Sequence, residues 1–186
     1  MTAPAETPDI RMEHASIPGT SLSVSRVAIG TWAIGGWMWG GTDETESVAT
    51  IKAAIDHGIN VIDTAPAYGF GRSEELVGKA VAQGGLRSRV LIATKTGLEW
   101  ENGRVFRNAS RARILREVED SLRRLRTDHI DIYQVHWPDP LVPIATRDTL
   151  SDVPGMVACS MFKSSVSAGG VMVHCLSFRR ALYTRS

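Results

Sequence analysis

Four side chains of the 186-residue chain stand at or just beyond the ends of short apolar runs. Asp63 follows Val61-Ile62, Lys95 follows Ile92-Ala93-Thr94, and His136 follows Tyr133-Gln134-Val135. Tyr68 follows Asp63 closely, in Ala65-Pro66-Ala67-Tyr68-Gly69. Singly, each has an ordinary explanation: a turn former, a packing ring, a solvated ammonium, a satisfied core histidine. Together they suit one chemistry. A phenol, with an ordinary pKa of about 10, is a poor acid at neutral pH unless its anion is stabilised, and a nearby ammonium stabilises it. A buried lysine needs a carboxylate partner, which Asp63 can supply. A histidine can hydrogen-bond a substrate oxygen and orient it. The set fits protonation of an oxygen that gains negative charge, as in hydride addition to a carbonyl.

The elements that must position these groups alternate in type. Arg26-Val27-Ala28-Ile29 reads as a first strand. Val48, Ile51 and Ile55 follow at helical spacing, and Gly58 suits a left-handed helix end. Asn60-Val61-Ile62 is a second strand. Ser73 is placed to cap a second helix, with Glu74 and Glu75 near its positive end and Leu76, Val77, Ala80 and Val81 on its apolar face. Val90-Leu91-Ile92-Ala93 is a third strand. Ser110 opens a third helix striped by Ile114, Leu115, Val118, Leu122 and Leu125, with Glu119–Arg123 and Asp120–Arg124 spaced as ion pairs on its wet side. Ile130 to Val135 is a fourth strand. The order βαβαβαβ predicts parallel strands joined by crossover helices. A doubly wound sheet and a (β/α)8 barrel both begin this way, and both gather function at the C-terminal ends of the strands.

From Leu22 to Pro143 the sequence resembles the aldo-keto reductase family, and most closely its bacterial general-stress oxidoreductase subgroup. The likeness rests on Val24-Ser25-Arg26, Gly30-Thr31-Trp32, Gly58, Asp63-Thr64-Ala65, Tyr68-Gly69, Ser73-Glu74, Ala93-Thr94-Lys95, Ser121-Leu122 with Leu125, Asp128, Asp131, and Gln134-Val135-His136-Trp137-Pro138-Asp139. The resemblance implies a (β/α)8 TIM barrel that binds NADPH without a Rossmann fingerprint. Consistently, Gly69-Phe70-Gly71-Arg72-Ser73-Glu74 lacks the third glycine of that motif. It implies that Tyr68 is the general acid, that Lys95 favours its anion, that Asp63 anchors Lys95, and that His136 orients the carbonyl. The implied cofactor contacts are Thr31 and Trp32, whose backbone would approach the cofactor, and Asp63. Trp32 and Trp137 either line the substrate mouth or simply pack. Gly35-Gly36 and Gly40-Gly41 read as loop bends rather than a phosphate cradle. His57 is read as a partner of a helix C-terminus, and Arg107, Arg111 and Arg113 as a solvated basic face.

A complete barrel takes about 250 residues, and the likeness fades near Ile144. The expected architecture is therefore an incomplete (β/α)8 barrel, about strands one to four with three helices, plus a non-homologous, disordered C-terminal tail. The expected boundaries are 1–15 as a flexible N-terminus, 16–145 as the partial oxidoreductase domain and 146–186 as the divergent tail, making the chain a truncated member. Its expected function is NADPH-dependent reduction of aldehydes or ketones. The alternative is a vestigial or non-catalytic regulatory half-barrel. Twenty-one basic against 20 acidic residues give a net charge of +1, which speaks against a nucleic-acid partner. No apolar run reaches the roughly 18 residues that span a bilayer, and Met1 to Met12 carries no signal-like apolar core. The two cysteines, Cys159 and Cys175, fit a reducing cytoplasm and provide no zinc site; no metal is expected. Exposed edges of a half-barrel invite self-association. The expected partner is a small carbonyl substrate.

Overall fold

A computed structural model describes residues 12–18, 20–142 and 158–159. In chain order the elements are β1 (His14–Ser16), β2 (Ser23–Ser25), β3 (Ala28–Gly30), α1 (Glu44–Asp56), β4 (Val61–Asp63), α2 (Arg72–Val81), β5 (Leu91–Thr96), β6 (Leu98–Glu101), β7 (Arg104–Arg107), α3 (Arg111–Leu125), β8 (Ile132–Val135) and β9 (Ala158–Cys159). Five strands form one parallel sheet in the order β3-β4-β5-β8-β9. The four expected strands and three helices are all present. The two-residue β9 adds a fifth strand at the edge; the rest of the expected 146–186 tail lies outside the described residues. Two hairpins, β1–β2 and β6–β7, were not legible as strands, because their runs mix polar and apolar residues and contain no apolar stretch.

Side-chain alternation divides the sheet into two faces. Ile62, Ile92 and Tyr133 are fully buried and pack with Val77, Ile114, Val118 and Leu125 in the helix-covered core. On the opposite face Ala93 and Ile132, paired in register, meet Ile17 and Leu22 of the segment linking β1 to β2. That segment floors the inner face, so the polar groups of the sheet are left to the strand ends.

The helix ends follow backbone chemistry. Asp43 caps α1 by accepting the Glu46 N–H at 2.8 Å. At the other end the Ile59 N–H reaches the Ala54 carbonyl and the Gly58 N–H the Ile55 carbonyl, a Schellman closure centred on Gly58 at φ +86°. The His57 ring nitrogen sits 2.7 Å from the Ala53 carbonyl, as expected of a partner for that terminus. Ser110 caps α3 through the Arg113 N–H.

Three sequence expectations are corrected. Ser73 is not the cap of α2, which begins after Gly71; its hydroxyl is buried and donates to Thr31 instead. Asp120 pairs with Arg123 at 2.6 Å, while Arg124 turns inward to Glu74. Arg113 is not solvated: its side chain is 10% exposed and reaches Glu117 at 2.9 Å. In each case a buried polar partner outcompetes the local surface role. Among the described residues no helix is long and apolar enough to cross a membrane.

Candidate active site

Asp63 is the last residue of β4 and Lys95 the penultimate residue of β5. Asp63 stands opposite Ala93 in the parallel ladder, so Lys95 lies two residues further along the neighbouring strand, on the same face. Its long stem covers that offset. The ammonium contacts both Asp63 carboxylate oxygens, at 2.8 and 2.9 Å, and donates to the Thr64 carbonyl at 2.9 Å. The Lys95 side chain is 13% exposed and that of Asp63 is 36% exposed. A largely buried cation thus has three oxygens around it, which is what a low-dielectric site demands.

Tyr68 is presented by the tight loop between β4 and α2. Its N–H donates to the Ala65 carbonyl and its carbonyl accepts the Ser73 N–H. The Lys95 ammonium lies 4.9 Å from the centre of the Tyr68 ring. The loop is held from below by a backbone crossing: a Cβ at Gly35 would sit 2.7 Å from the Tyr68 carbonyl carbon and 2.9 Å from the Gly69 nitrogen. Only a residue without a side chain permits this approach. Gly35→Ala is therefore expected to displace the Tyr68 loop and to cost about 1–3 kcal/mol, the usual penalty of overpacking. Urea unfolding measures it; an unchanged midpoint would show that the loop moves freely.

His136 follows β8, and its N–H continues the ladder by donating to the Thr96 carbonyl at 2.8 Å. Its ring stands edge-on to Tyr68, with centroids 5.6 Å apart. Burial, reinforced by the Lys95 charge, pushes its pKa down to about 4. At pH 7 the imidazole is neutral, fit to hydrogen-bond an oxygen without adding charge. Because the folded value lies below the ordinary 6.5, the unfolded chain takes up this proton first on acidification. Stability is complete above about pH 6.5 and falls toward pH 4, by at most about 3 kcal/mol from this group. Urea unfolding at pH 7.5 and 4.5 tests this: His136→Gln is expected to lose less stability on acidification than the parent. Equal losses would remove His136 as the cause.

Aromatic rings flank Tyr68 and His136. Trp32 lies 6.3 Å from Tyr68 and 5.5 Å from Trp39, and Trp137 lies 5.7 Å from His136. Trp32 is 45% and Trp137 47% exposed, so both rings border the open side rather than pack in the core. Trp37, Phe70 and Trp100 form a second string of rings, with centroid spacings of 4.9 and 5.8 Å. It ties the loop after β3 and the Tyr68 loop to the β6–β7 hairpin.

The structure thus brings Asp63, Tyr68, Lys95 and His136 together. The Thr31 side chain is turned inward. Thr31 is fully buried; its N–H and hydroxyl donate to the Asp63 carbonyl, and its own carbonyl accepts from Ser73. Of the Thr31-Trp32 pair, the indole is what faces outward.

Sequence reasoning missed two fully buried carboxylates behind the site. Glu74 accepts the Thr94 hydroxyl and Arg124, both at 2.6 Å. Glu117 accepts the Thr96 hydroxyl at 2.7 Å, the Gly97 N–H at 3.0 Å and Arg113 at 2.9 Å. Burial raises the Glu117 carboxyl above its ordinary range, against the opposing pull of Arg113 and the two donors. One signal was available: Glu117 lies between Ile114 and Ser121 on the inward stripe of α3, where a solvated glutamate does not belong.

Residues 26–170 match the model of the aldo/keto reductase family. Aldo-keto reductase YhdN of Bacillus subtilis is 65% identical over 133 residues, which are 72% of this chain and 40% of the relative. The glycerol dehydrogenase AKR11B4 from Gluconobacter oxydans superposes with a TM-score of 0.66 at 52% identity, over 74% of this chain and 44% of that one. An aldo-keto reductase from Klebsiella pneumoniae in complex with NADPH gives a TM-score of 0.55 at 33% identity, over 70% of this chain and 42% of that one. The chain therefore spans about two fifths of the length of the curated relative it matches. The parallel sheet with its covering helices is an incomplete (β/α)8 barrel. Four candidate groups gathered at the C-terminal ends of its strands, together with the matched family model, show that the chain belongs to the aldo/keto reductase family.

Proposed function

We propose that this chain carries the proton-transfer centre of an NADPH-dependent reductase of aldehydes and ketones. The observation that carries the reading is Lys95, held on both Asp63 oxygens and set against the Tyr68 ring. Tyr68 gives its proton to the carbonyl oxygen as that oxygen gains charge. The Lys95 cation stabilises the phenolate left behind. Asp63 fixes the ammonium in place, and the neutral His136 ring hydrogen-bonds the substrate oxygen and sets its approach. The aromatic rim of Trp32 and Trp137 keeps water from the reacting face and favours small carbonyl compounds with an apolar body.

The residues present suit the nicotinamide end of the cofactor. Asp63 keeps lone pairs and exposure to accept a hydroxyl, and the outward indole of Trp32 offers a flat apolar surface. When bound, the reduced nicotinamide supplies the hydride. The Klebsiella relative was determined with NADPH, the form this reading adopts, while an Escherichia coli relative 40% identical over 149 residues is named an NADH-specific methylglyoxal reductase. Titration with each cofactor, read by tryptophan fluorescence, tests the reading. Quenching by NADPH is expected to exceed that by NADH at equal concentration and to weaken in Trp32→Ala. Equal responses would overturn the NADPH preference, and a response unaffected by Trp32→Ala would overturn the placement. A non-catalytic regulatory or vestigial role would be favoured if NADPH bound but no aldehyde consumed it.

A further inference from the structure

Lys95 lies in β5 between two threonines whose side chains face the opposite, helix-covered side of the sheet. Both hydroxyls are spoken for. Thr94 donates to Glu74 of α2 and Thr96 donates to Glu117 of α3. The two glutamates are 0% and 1% exposed, and each is closed by an arginine from α3, Arg124 and Arg113 respectively. Hiding two carboxylates and their guanidinium partners is an expensive way to fill a core. Apolar side chains of similar volume would do it at no desolvation cost. What the carboxylates add is direction, because a hydroxyl on a carboxylate fixes the strand along its own axis, whereas apolar packing tolerates sliding.

Glu117 holds the very end of the strand. The oxygen that takes the Thr96 hydroxyl also takes the Gly97 N–H at 3.0 Å, at the point where β5 turns, with Gly97 at φ +91°. Thr96 in turn accepts the His136 N–H on its carbonyl at 2.8 Å. One residue therefore joins the buried carboxylate through its side chain to His136 through its backbone, and lies next to Lys95 in sequence. The Tyr133 hydroxyl, buried in the same layer, stands beside the Thr96 side chain but makes no hydrogen bond of good geometry among the described residues.

We propose that Glu117 is a positioning residue. By clamping the Thr96 hydroxyl and the Gly97 N–H, it fixes the end of β5 and thereby the placement of Lys95 and His136. The role assigned to those two residues rests on the reductase reading above; the clamp itself is a statement about geometry.

Amide hydrogen exchange, followed residue by residue on the whole chain, separates the two. Thr96→Val keeps the shape and deletes the hydroxyl. It is expected to speed exchange at Gly97 and His136 by about tenfold relative to the core amides of Ile62 and Val77, the effect of losing one charge-assisted hydrogen bond. Thr96→Ser restores the hydroxyl and is expected to return both amides to within about threefold of the parent. Glu117→Gln keeps the volume and serves if Thr96→Val does not fold. As a neutral acceptor it is expected to fall between the other two. The clamp is overturned if both amides change only in step with the core, or if Thr96→Ser behaves like Thr96→Val. Neither outcome depends on catalysis. If the exchange results hold while the protein reduces no carbonyl, the clamp stands and the reductase reading falls.

Discussion

Tyr68→Phe is expected to lower kcat for a simple aldehyde at saturating NADPH by about 10²–10⁴-fold, the range that general acid catalysis contributes. The substitution deletes one oxygen and keeps the ring. The contacts with Trp32 and His136 persist, as does the face that Lys95 approaches. NADPH affinity is expected to stay within about threefold, since the phenol is assigned to chemistry and not to holding the cofactor. The competing donor is His136, and magnitude argues against it. With a pKa of about 4, the imidazolium makes up about one part in 10³ at pH 7. A rate carried by that fraction would rise steeply on acidification. If Tyr68→Phe keeps kcat within tenfold while hydride transfer limits the rate, and the remaining rate climbs as pH falls toward 4, the proton comes from His136.

The four candidate residues were legible because a parallel sheet enforces a simple rule. Whatever follows the apolar run of each strand arrives at the same end of the sheet. Asp63, Lys95 and His136 could be placed from their runs alone, and Tyr68 from its short distance to Asp63. Strand limits were less legible. β5 extends to Thr96 rather than ending at Ala93, because its polar residues Thr94 and Thr96 find carboxylates behind the sheet and remain in the ladder. A sequence read for apolar runs stops where the first hydroxyl appears.

The same blindness explains Ser73, Glu74, Arg113 and Glu117. Each is a residue type that usually serves a helix end or a wet face; local rules put Ser73 and Glu74 at a helix end and Arg113 on a wet face, and gave Glu117 no role. Tertiary partners decided otherwise. Ser73 meets the Thr31 carbonyl and hydroxyl, Glu74 meets Thr94 and Arg124, and Glu117 meets Thr96 and Arg113. These partners are 20 to 50 residues away except for Arg113. No local pattern reports such a pairing. Its trace in the sequence was Glu117 itself, set between Ile114 and Ser121 on the inward stripe of α3.

Lys95→Met is expected to damage both chemistry and fold, and the two can be separated. Methionine keeps much of the apolar stem but removes the charge against Tyr68 and both bonds to Asp63. The kinetic loss should match that of Tyr68→Phe, about 10²-fold or more, because an acid whose conjugate anion is unsupported releases its proton less readily. The stability loss should be smaller than the 3–5 kcal/mol typical of a charge stranded in a core. The Asp63 side chain is 36% exposed, so water can hydrate the carboxylate once the ammonium is gone. About 1–2 kcal/mol is expected. Asp63→Asn placed on top of Lys95→Met removes the stranded charge and should recover most of that stability, since the two sites are coupled. It should recover none of the rate, because the cation beside Tyr68 is still missing. Urea unfolding and kcat, measured on the single and double variants, give the two answers independently. A double variant that regains rate along with stability would mean that Lys95 acts only as a strut for Asp63 and not on the Tyr68 proton.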